Sequence, residues 1–404
     1  MRVGGLFPLL LMAACGGGTT EVITPPPPPP PAGFTFTFAP DPEEAATAAA
    51  LTWQSGIPGF VVTVTPVDSS APPRAFTATA SGTLAVTDLP AKDYIVEGSR
   101  WLTTAEKAEL SASDDALGFV GRWTVPASNQ GGSTRLDVPA DRKKGLVISE
   151  WAFNEYSYTY SGFLELHNNA DTTVYLDGLI LGEGWWASLD APITPCPITA
   201  SFRNDPQGIW SRFFQQFPGT GREYPLAAGG TVAIATDAID HRPLDARSLD
   251  LSHAGFEFSG LADADNPAVP NMIDIGLIAH SDGHGLTYFG LVNVPFISRS
   301  VSVPSLTRAL GPQGNTEWAR FPADAIIDAL AIGTNYPPPP GFADCPPLVN
   351  ARFDRKESRA RSTDDFVEYV FSLSRRHISG TNLLQWTRSG NADFIRTSRT
   401  PGIP

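Results

Sequence analysis

Two histidines and an aspartate stand within five residues of one another, at His280, Asp282 and His284. Two imidazoles and a carboxylate at this spacing could converge on one zinc ion, for which they are common ligands. The stretch is rich in glycine and follows a strand-like run, Ile273 to Ala279, so an exposed hairpin turn is the alternative. The first interpretation predicts a metal-dependent hydrolase, and the second, which we favour, predicts no chemistry here.

A second set of metal ligands is Asp263, Asp265 and Asn266, whose side-chain oxygens suit calcium. No glycine-centred twelve-residue calcium loop surrounds them, so ordinary turn chemistry is their expected role. We therefore predict no cofactor, with calcium and zinc as the alternatives that these two sets leave open.

Glu165 and His167 flank Leu166 on one predicted strand, which puts both side chains on the same face of a sheet. An acid and an imidazole side by side could transfer protons. We expect instead that Glu165 accepts backbone N–H groups. The G-x-S-x-G, H-E-x-x-H and Walker motifs and a Cys–His arrangement are missing from the sequence. We therefore predict that the protein is not an enzyme.

Aromatic side chains are concentrated in two loop-rich stretches of the second half of the chain. Amphipathic rings on loops often contact sugars, peptides or other proteins, and a place in the hydrophobic core is the other role open to them. The candidate binding residues are Tyr156, Tyr158, Tyr160, Trp185, Trp186 and Trp210.

The segment from Arg352 to Arg376 is locally basic, although the chain carries a net charge of −14. Such a run is usually a solvated face, and docking of an acidic partner or of lipid headgroups is the alternative. The net negative charge argues against nucleic acid as a partner, because binding of phosphate backbones needs clustered lysine and arginine.

The first fifteen residues have the composition of an export signal, in which Arg2 precedes the apolar run 6–12 and two alanines precede a cleavage site. The run Leu11 to Cys15 resembles a bacterial lipobox, which implies that Cys15 is acylated and becomes the first residue of the mature protein. Acyl chains on this residue would hold the protein to a membrane. Gly16, in place of aspartate, resembles lipoproteins of the outer membrane, with the periplasmic and cell-surface faces both open.

Residues 16–33 are of low complexity and include seven consecutive prolines, Pro25 to Pro31. Such a run adopts the extended polyproline II conformation and acts as a stiff spacer. Two further cysteines, Cys196 and Cys345, each stand next to proline. In an oxidising compartment such a pair more often forms a disulfide than remains as free thiols, so we predict a bridge between them.

A length of 404 residues predicts two or three domains at roughly 150 residues each. Residues 34–140 have the alternating pattern of strands broken by turns. The stretch Leu84 to Gly98 resembles the carboxypeptidase regulatory-like (transthyretin-like) domain, which implies a β-sandwich. One helical interruption is predicted from Thr103 to Ala116, and the capping residues near its start are Thr104 and Glu106.

The second domain is predicted from residue 145. Its sequences ISEW at 148–151 and GFLELHNNADTTVYLDGLIL at 162–181 resemble the signature of the lamin-tail domain, an immunoglobulin-like sandwich. Residues 224–235 resemble the later strand pair of that domain, and residues 372–394 resemble its closing sequence. The resemblance implies a second sandwich over residues 145–398, enlarged by long loop insertions.

Together with the sequences at 249–258 and 265–271, the order of these two domain types resembles a family of bacterial surface lipoproteins, domain of unknown function 4876. This resemblance covers most of the mature chain. It implies an all-β protein of two tandem immunoglobulin-like or transthyretin-like β-sandwiches, at 34–140 and 145–398. A signal peptide, 1–15, and a proline-rich stalk, 16–33, would precede them.

These features predict a lipid-anchored cell-envelope protein that acts as a non-catalytic binding or scaffolding module. Its partners would be the membrane and a protein, peptide or glycan ligand. One alternative is an accessory lipoprotein of an outer-membrane nutrient or metal uptake system, with a β-barrel transporter as partner. The other is the hydrolase centred on His280, Asp282 and His284.

Overall fold

The computed structural model describes most of the chain beyond the stalk. The described residues are 33–53, 55–111, 116–142, 145–152, 162–184, 202–244, 246, 248–259, 265–277, 294–311, 317–333, 347, 349–355, 358–359, 371–378 and 382–402. Strands dominate them, and their α-helices are short, so the prediction of an all-β fold is confirmed.

The first part of the described chain, residues 33–142, is called the N-terminal unit below. Its strands form a three-stranded sheet of order β4-β1-β7 and a five-stranded sheet of order β3-β2-β5-β6-β8. Its elements are β1 (Phe34–Pro40), α1 (Ala45–Ala50), β2 (Val61–Pro66), β3 (Arg74–Thr77), β4 (Thr83–Val86), β5 (Tyr94–Trp101), α2 (Thr104–Glu109), β6 (Ala116–Val125), β7 (Ser133–Val138) and β8 (Ala140–Arg142).

The core of the N-terminal unit is built by the alternation of side chains along β1. Phe34, Phe36 and Phe38 are buried, while the threonines between them are partly exposed. The Phe38 ring lies 4.8 Å from that of Phe60, and the Phe34 ring lies 5.5 Å from that of Tyr94. Each fully buried aromatic side chain of this kind contributes about 1.5–3 kcal/mol to folding.

The helix α2 begins with a capping box. The Thr103 hydroxyl accepts a hydrogen bond from the backbone N–H of Glu106 at 3.2 Å, and the Glu106 carboxylate accepts one from the Thr103 N–H at 2.7 Å. Glu106 therefore has the predicted capping role, whereas the N-cap is Thr103 and not Thr104.

Residues 145–402 are called the C-terminal unit. Its elements are β9 (Leu146–Ala152), β10 (Phe163–Asn168), β11 (Val174–Tyr175), β12 (Ile180–Gly184), β13 (Gly208–Gln216), β14 (Pro225–Leu226), β15 (Thr231–Ala235), β16 (Phe256–Glu257), β17 (Ile273–Asp274), β18 (Val294–Ser298), β19 (Thr307–Leu310), β20 (Glu317–Pro322), β21 (Ile326–Ala329), β22 (Ile332–Gly333), β23 (Ser358–Arg359), β24 (Phe371–Arg375), α3 (Gly390–Asp393) and β25 (Phe394–Ser398).

Two large sheets form the C-terminal unit. One has six strands in the order β16-β15-β10-β9-β24-β25, and the other has the order β19-β20-β13-β12-β18-β21 with β17 paired to β13. A shared core joins them, with Leu164 and Leu166 from the first sheet and Leu181 and Ile297 from the second. A separate apolar cluster covers the opposite side of the second sheet.

The six-stranded sheet contacts the N-terminal unit at one end. There the Trp386 N–H donates to Asp141 Oδ1 at 2.6 Å, and the Arg142 N–H donates to the Trp386 carbonyl at 3.3 Å. At the opposite end, called the far end, Ala152 pairs with Phe163 and with Ser372. The seven residues of β9 separate these two ends by about 20 Å.

Candidate functional site

Most of the residues that the sequence analysis proposed as sites lie outside the described residues. Their proposed roles in lipidation, binding, metal coordination and the disulfide stay predictions. These residues are Cys15, Tyr156, Tyr158, Tyr160, Trp185, Trp186, Cys196, His280, Asp282, His284 and Cys345.

Trp210 is the described member of the aromatic candidates, and it lies in the interior. Its side chain is 7% exposed, and its ring stacks on Phe202 with 4.6 Å between ring centroids. The indole N–H donates to Asp205 at 2.9 Å. Trp210 therefore packs in the interior beside Phe202 and Trp318. Of the two roles that the sequence left open, ligand contact and a place in the core, the structure shows the second.

Asp265 and Asn266 have the turn role expected from the sequence. The Asn266 side chain accepts from the Ala268 N–H at 3.1 Å and donates to the Ala238 carbonyl at 2.8 Å. Asp265 accepts from the Asn271 amide at 2.7 Å. These bonds hold the loop in place, and Asp263 lies outside the described residues.

Glu165 holds the C-terminal end of the described chain. One carboxylate oxygen accepts from the Ser149 hydroxyl at 2.6 Å, and the other accepts from the Gly402 N–H at 2.7 Å. The neighbouring Glu150 similarly accepts from the N–H and hydroxyl of Thr400. The expectation that Glu165 accepts a backbone N–H is confirmed, while His167 contacts the Thr231 hydroxyl at 2.9 Å instead.

Burial, with a smaller contribution from the Glu150 charge, raises the pKa of Glu165 to about 7. The folded protein therefore holds a proton on this group at pH values where the unfolded chain, with a pKa near 4.5, has released it. We expect the stability of the wild type to fall relative to Glu165→Gln as the pH rises from about 4.5 to about 7, by up to roughly 3 kcal/mol.

Urea unfolding of both proteins at pH 5 and pH 8 measures this difference. The control is Glu317→Gln, since the Glu317 side chain is 52% exposed and its ion pair with Arg308 contributes little to stability. A difference between wild type and Glu165→Gln that does not change with pH would contradict the raised pKa.

The basic segment is not a solvated face at the two arginines whose contacts are best defined. The Arg355 side chain is 8% exposed and pairs with Asp41, Glu43 and Glu44 of the N-terminal unit at 3.4, 2.9 and 2.7 Å. The Arg375 side chain is 2% exposed and pairs with Asp328 at 2.6 Å. The solvated-face interpretation is wrong for both, because each guanidinium neutralises a buried carboxylate from a distant part of the sequence.

Glu44 is the centre of the contact between the two units. Its carboxylate is 1% exposed and receives Arg142 at 2.5 Å, Arg355 at 2.7 Å and Arg388 at 3.8 Å. Burial raises the pKa of Glu44, but the hydrogen bonds and charges of Arg142 and Arg355 outweigh it, so the pKa lies below its ordinary value. We call Glu44 and these three arginines the junction cluster.

A buried carboxyl of a different kind lies on β12, which is otherwise apolar. The Glu183 side chain is 4% exposed, and its Oε1 has no hydrogen-bond partner among the described residues. Burial raises the pKa of Glu183 well above its ordinary value, and the charge of Arg212 opposes this only in part. A buried polar atom without a partner is rare in proteins and often marks a position for a ligand, ion or water.

Arg212 is placed beside Glu183 by a bulge in β13. Glu183 pairs with Phe213 and Gly184 pairs with Ser211, so Arg212 is the extra residue between them. Its guanidinium lies 4.7 Å from the Phe213 ring and 5.4 Å from the Trp318 ring. Arg212 and Phe213 are partly exposed, whereas Glu183 and Trp318 are buried.

The candidate functional site consists of Glu183, Arg212, Phe213 and Trp318. The sequence analysis did not identify it, although a glutamate within the apolar run of residues 180–184 is an available signal. Among the described residues, no group of three or more His, Cys, Asp or Glu side chains could hold a metal ion. No helix within the described ranges is long and apolar enough to cross a membrane.

No family model and no curated protein matches the chain. Two solved structures are similar to it. One is a DUF4876 family protein from Bacteroides thetaiotaomicron VPI-5482, with a TM-score of 0.45 and 16% identity over 91% of this chain and 92% of that chain. The other is a "putative carbohydrate binding protein" from Bacteroides uniformis ATCC 8492, with a TM-score of 0.16 and 10% identity over 75% of this chain and 99% of that chain.

The first of these proteins belongs to the family that the sequence resembles. The lamin-tail and carboxypeptidase regulatory-like resemblances stay predictions.

Proposed function

We propose that the chain is a lipid-anchored protein of the cell envelope, held to the outer membrane through Cys15, and that it works by binding a partner at its C-terminal unit. In this proposal the N-terminal unit is a spacer domain and the C-terminal unit is the binding domain. The observation that supports it most is the placement of the two ends of β1.

The strand β1 begins where the stalk would enter and ends at the contact with the C-terminal unit. At its start, the carbonyl of Gly33 accepts from the Gly131 N–H at 2.8 Å. At its end, Pro40 leads into Asp41, Glu43 and Glu44, which pair with Arg355. The length of seven residues corresponds to about 20 Å. A lipid on the stalk would therefore hold the C-terminal unit away from the membrane.

Polar side chains fix the loops of the C-terminal unit through hydrogen bonds to the backbone. The Asn168 amide donates to the carbonyls of Thr172, Leu226 and Ala227 at 2.8–3.0 Å. The Asp177 carboxylate accepts the N–H groups of residues 221, 223 and 224 at 2.8–3.1 Å. Fixed loops lower the conformational entropy that binding would otherwise cost, which suits a binding role.

The lipid is tested directly by Cys15→Ala. We expect the wild-type protein, expressed in a bacterium with lipoprotein processing, to be recovered with the membranes, and its N-terminal peptide to carry the mass of acyl chains on Cys15. The variant should lose both properties, because its side chain cannot form the thioether to lipid. Intact-mass analysis and membrane fractionation measure them. Equal membrane recovery of a non-acylated variant and the wild type would reject the anchor.

A further inference from the structure

The site at Glu183 has chemistry that favours one class of ligand. We propose that Glu183 and Arg212 form a binding site for a hydroxyl-rich ligand, a sugar, with Phe213 beside it. This inference rests on the proposed binding function and identifies the ligand class at one position. It is independent of where the protein is anchored.

The first reason is that a hydrogen-bond acceptor without a partner, Glu183 Oε1, lies beside a group with several donors, the Arg212 guanidinium. Glu183 Oε1 is buried without a hydrogen-bond partner among the described residues, so a ligand hydroxyl there would replace an uncompensated polar group by a hydrogen bond. The Arg212 guanidinium carries five N–H donors and can donate to a second ligand oxygen in addition to its other contacts. A sugar hydroxyl is both a donor and an acceptor, so neighbouring hydroxyls can satisfy both groups.

The second reason is that the same arrangement disfavours a metal ion. A divalent cation requires several anionic or carbonyl oxygens, and the charged group that acts most on Glu183 is the guanidinium of Arg212. Its positive charge would repel a cation at that position. No cluster of three or more acidic, histidine or cysteine side chains compensates for it in the described part of the chain.

The third reason is the aromatic surface next to the polar pair. Arg212 lies over the rings of Phe213 and Trp318, which keeps the guanidinium in one orientation. Phe213 packs against the core that the two sheets share, and its exposed part can contact the apolar face of a sugar ring. The bulge at Arg212 is also fixed, since the Ser211 hydroxyl lies 2.7 Å from the Glu183 carbonyl and 2.9 Å from the Phe213 carbonyl and shares its one proton between them.

The test uses the complete mature protein and isothermal titration with D-glucose, D-galactose, D-mannose and N-acetyl-D-glucosamine, with calcium chloride as a separate probe. Glu183→Leu removes the carboxyl and also its desolvation cost, so this variant should be at least as stable as the wild type. Glu183→Gln keeps the shape, and Glu317→Gln is the control at an exposed acid of the same sheet.

We expect at least one sugar to bind the wild type, Glu183→Leu to weaken that binding about tenfold or more, and Glu317→Gln to leave it unchanged. Sugar binding that is undiminished in a folded Glu183→Leu variant would overturn the site while leaving the binding function in place. Calcium binding that requires Glu183 would overturn the ligand class, and so would the absence of binding of all four sugars to the wild type. None of these results changes the outcome at Cys15, which tests the anchor separately.

Discussion

Replacement of Arg375 by methionine should lower the free energy of unfolding by about 3–5 kcal/mol. The Arg375 side chain is 2% exposed and lies 2.6 Å from Asp328 and 3.4 Å from Asp393. It also donates to the carbonyls of Ile148 and Gln385 at 2.7 and 3.1 Å. Without it, two buried carboxylates lose their cationic partner and two carbonyls lose a donor. Burial already raises the pKa of Asp393 against the opposing charge of Arg375, so the loss would fall on a group that is costly to ionise.

Denaturant unfolding followed by tryptophan fluorescence measures this effect. Arg308→Met is the matched control, because Arg308 also pairs with a carboxylate at 2.6 Å, but the two side chains are 30% and 52% exposed. Exposed pairs of this kind contribute about 0–1 kcal/mol. An equal loss in the two variants would show that burial does not determine the contribution of Arg375.

Replacement of Glu44 by glutamine should separate the two units energetically. The three arginines of the junction cluster would then lose the buried carboxylate that they share, which should cost about 3–5 kcal/mol. We expect the wild type to unfold in one transition and Glu44→Gln in two, since the contact between the units weakens while their separate hydrophobic cores remain. Calorimetry measures the number of transitions.

The Glu44 carboxyl should also make the stability of the junction cluster depend on pH. Because the pKa of Glu44 in the folded protein is lowered, its stabilising contribution is complete above the ordinary value of 4.5 and is lost as the pH falls through the lowered pKa. Glu43→Gln is the control, since the Glu43 side chain is 47% exposed and should change stability by less than about 1 kcal/mol. A single transition in Glu44→Gln at the wild-type temperature would contradict the role of the junction cluster.

The strands could be predicted from the sequence because alternation is a local property. The alternating phenylalanines and threonines of β1 and the apolar run of β9 each contain the information that their own strand needs. The helix α1 could not be predicted in this way, because its sequence AATAAA has no apolar periodicity. The predicted N-cap of α2 was wrong by one residue, because Thr103 and Thr104 are both threonines and threonine is a favourable N-cap residue at either position.

The pairing of charges depends on the tertiary fold and could not be predicted. Glu44 and Arg355 are 311 residues apart, and Arg375 and Ile148 are 227 apart. Local composition therefore suggested an exposed basic run where the fold buries arginines. The strand position of Glu165 was enough to predict that it accepts a backbone N–H, but its partner, Gly402, is 237 residues away and could not be predicted. The environment of Glu183 depends on the bulge that brings Arg212 beside it.

In the proposed arrangement, the lipid on Cys15 and the stalk hold the C-terminal unit away from the membrane. Fluorescent labels at two exposed positions measure this in the lipid-anchored protein on vesicles that contain an energy acceptor in the headgroups. Ser128→Cys marks the end at which the stalk enters, and Ser398→Cys marks the far end of the six-stranded sheet. We predict that the label at residue 398 lies farther from the membrane than that at residue 128 by more than one strand length, about 20 Å. Equal transfer efficiencies at the two positions would contradict the account.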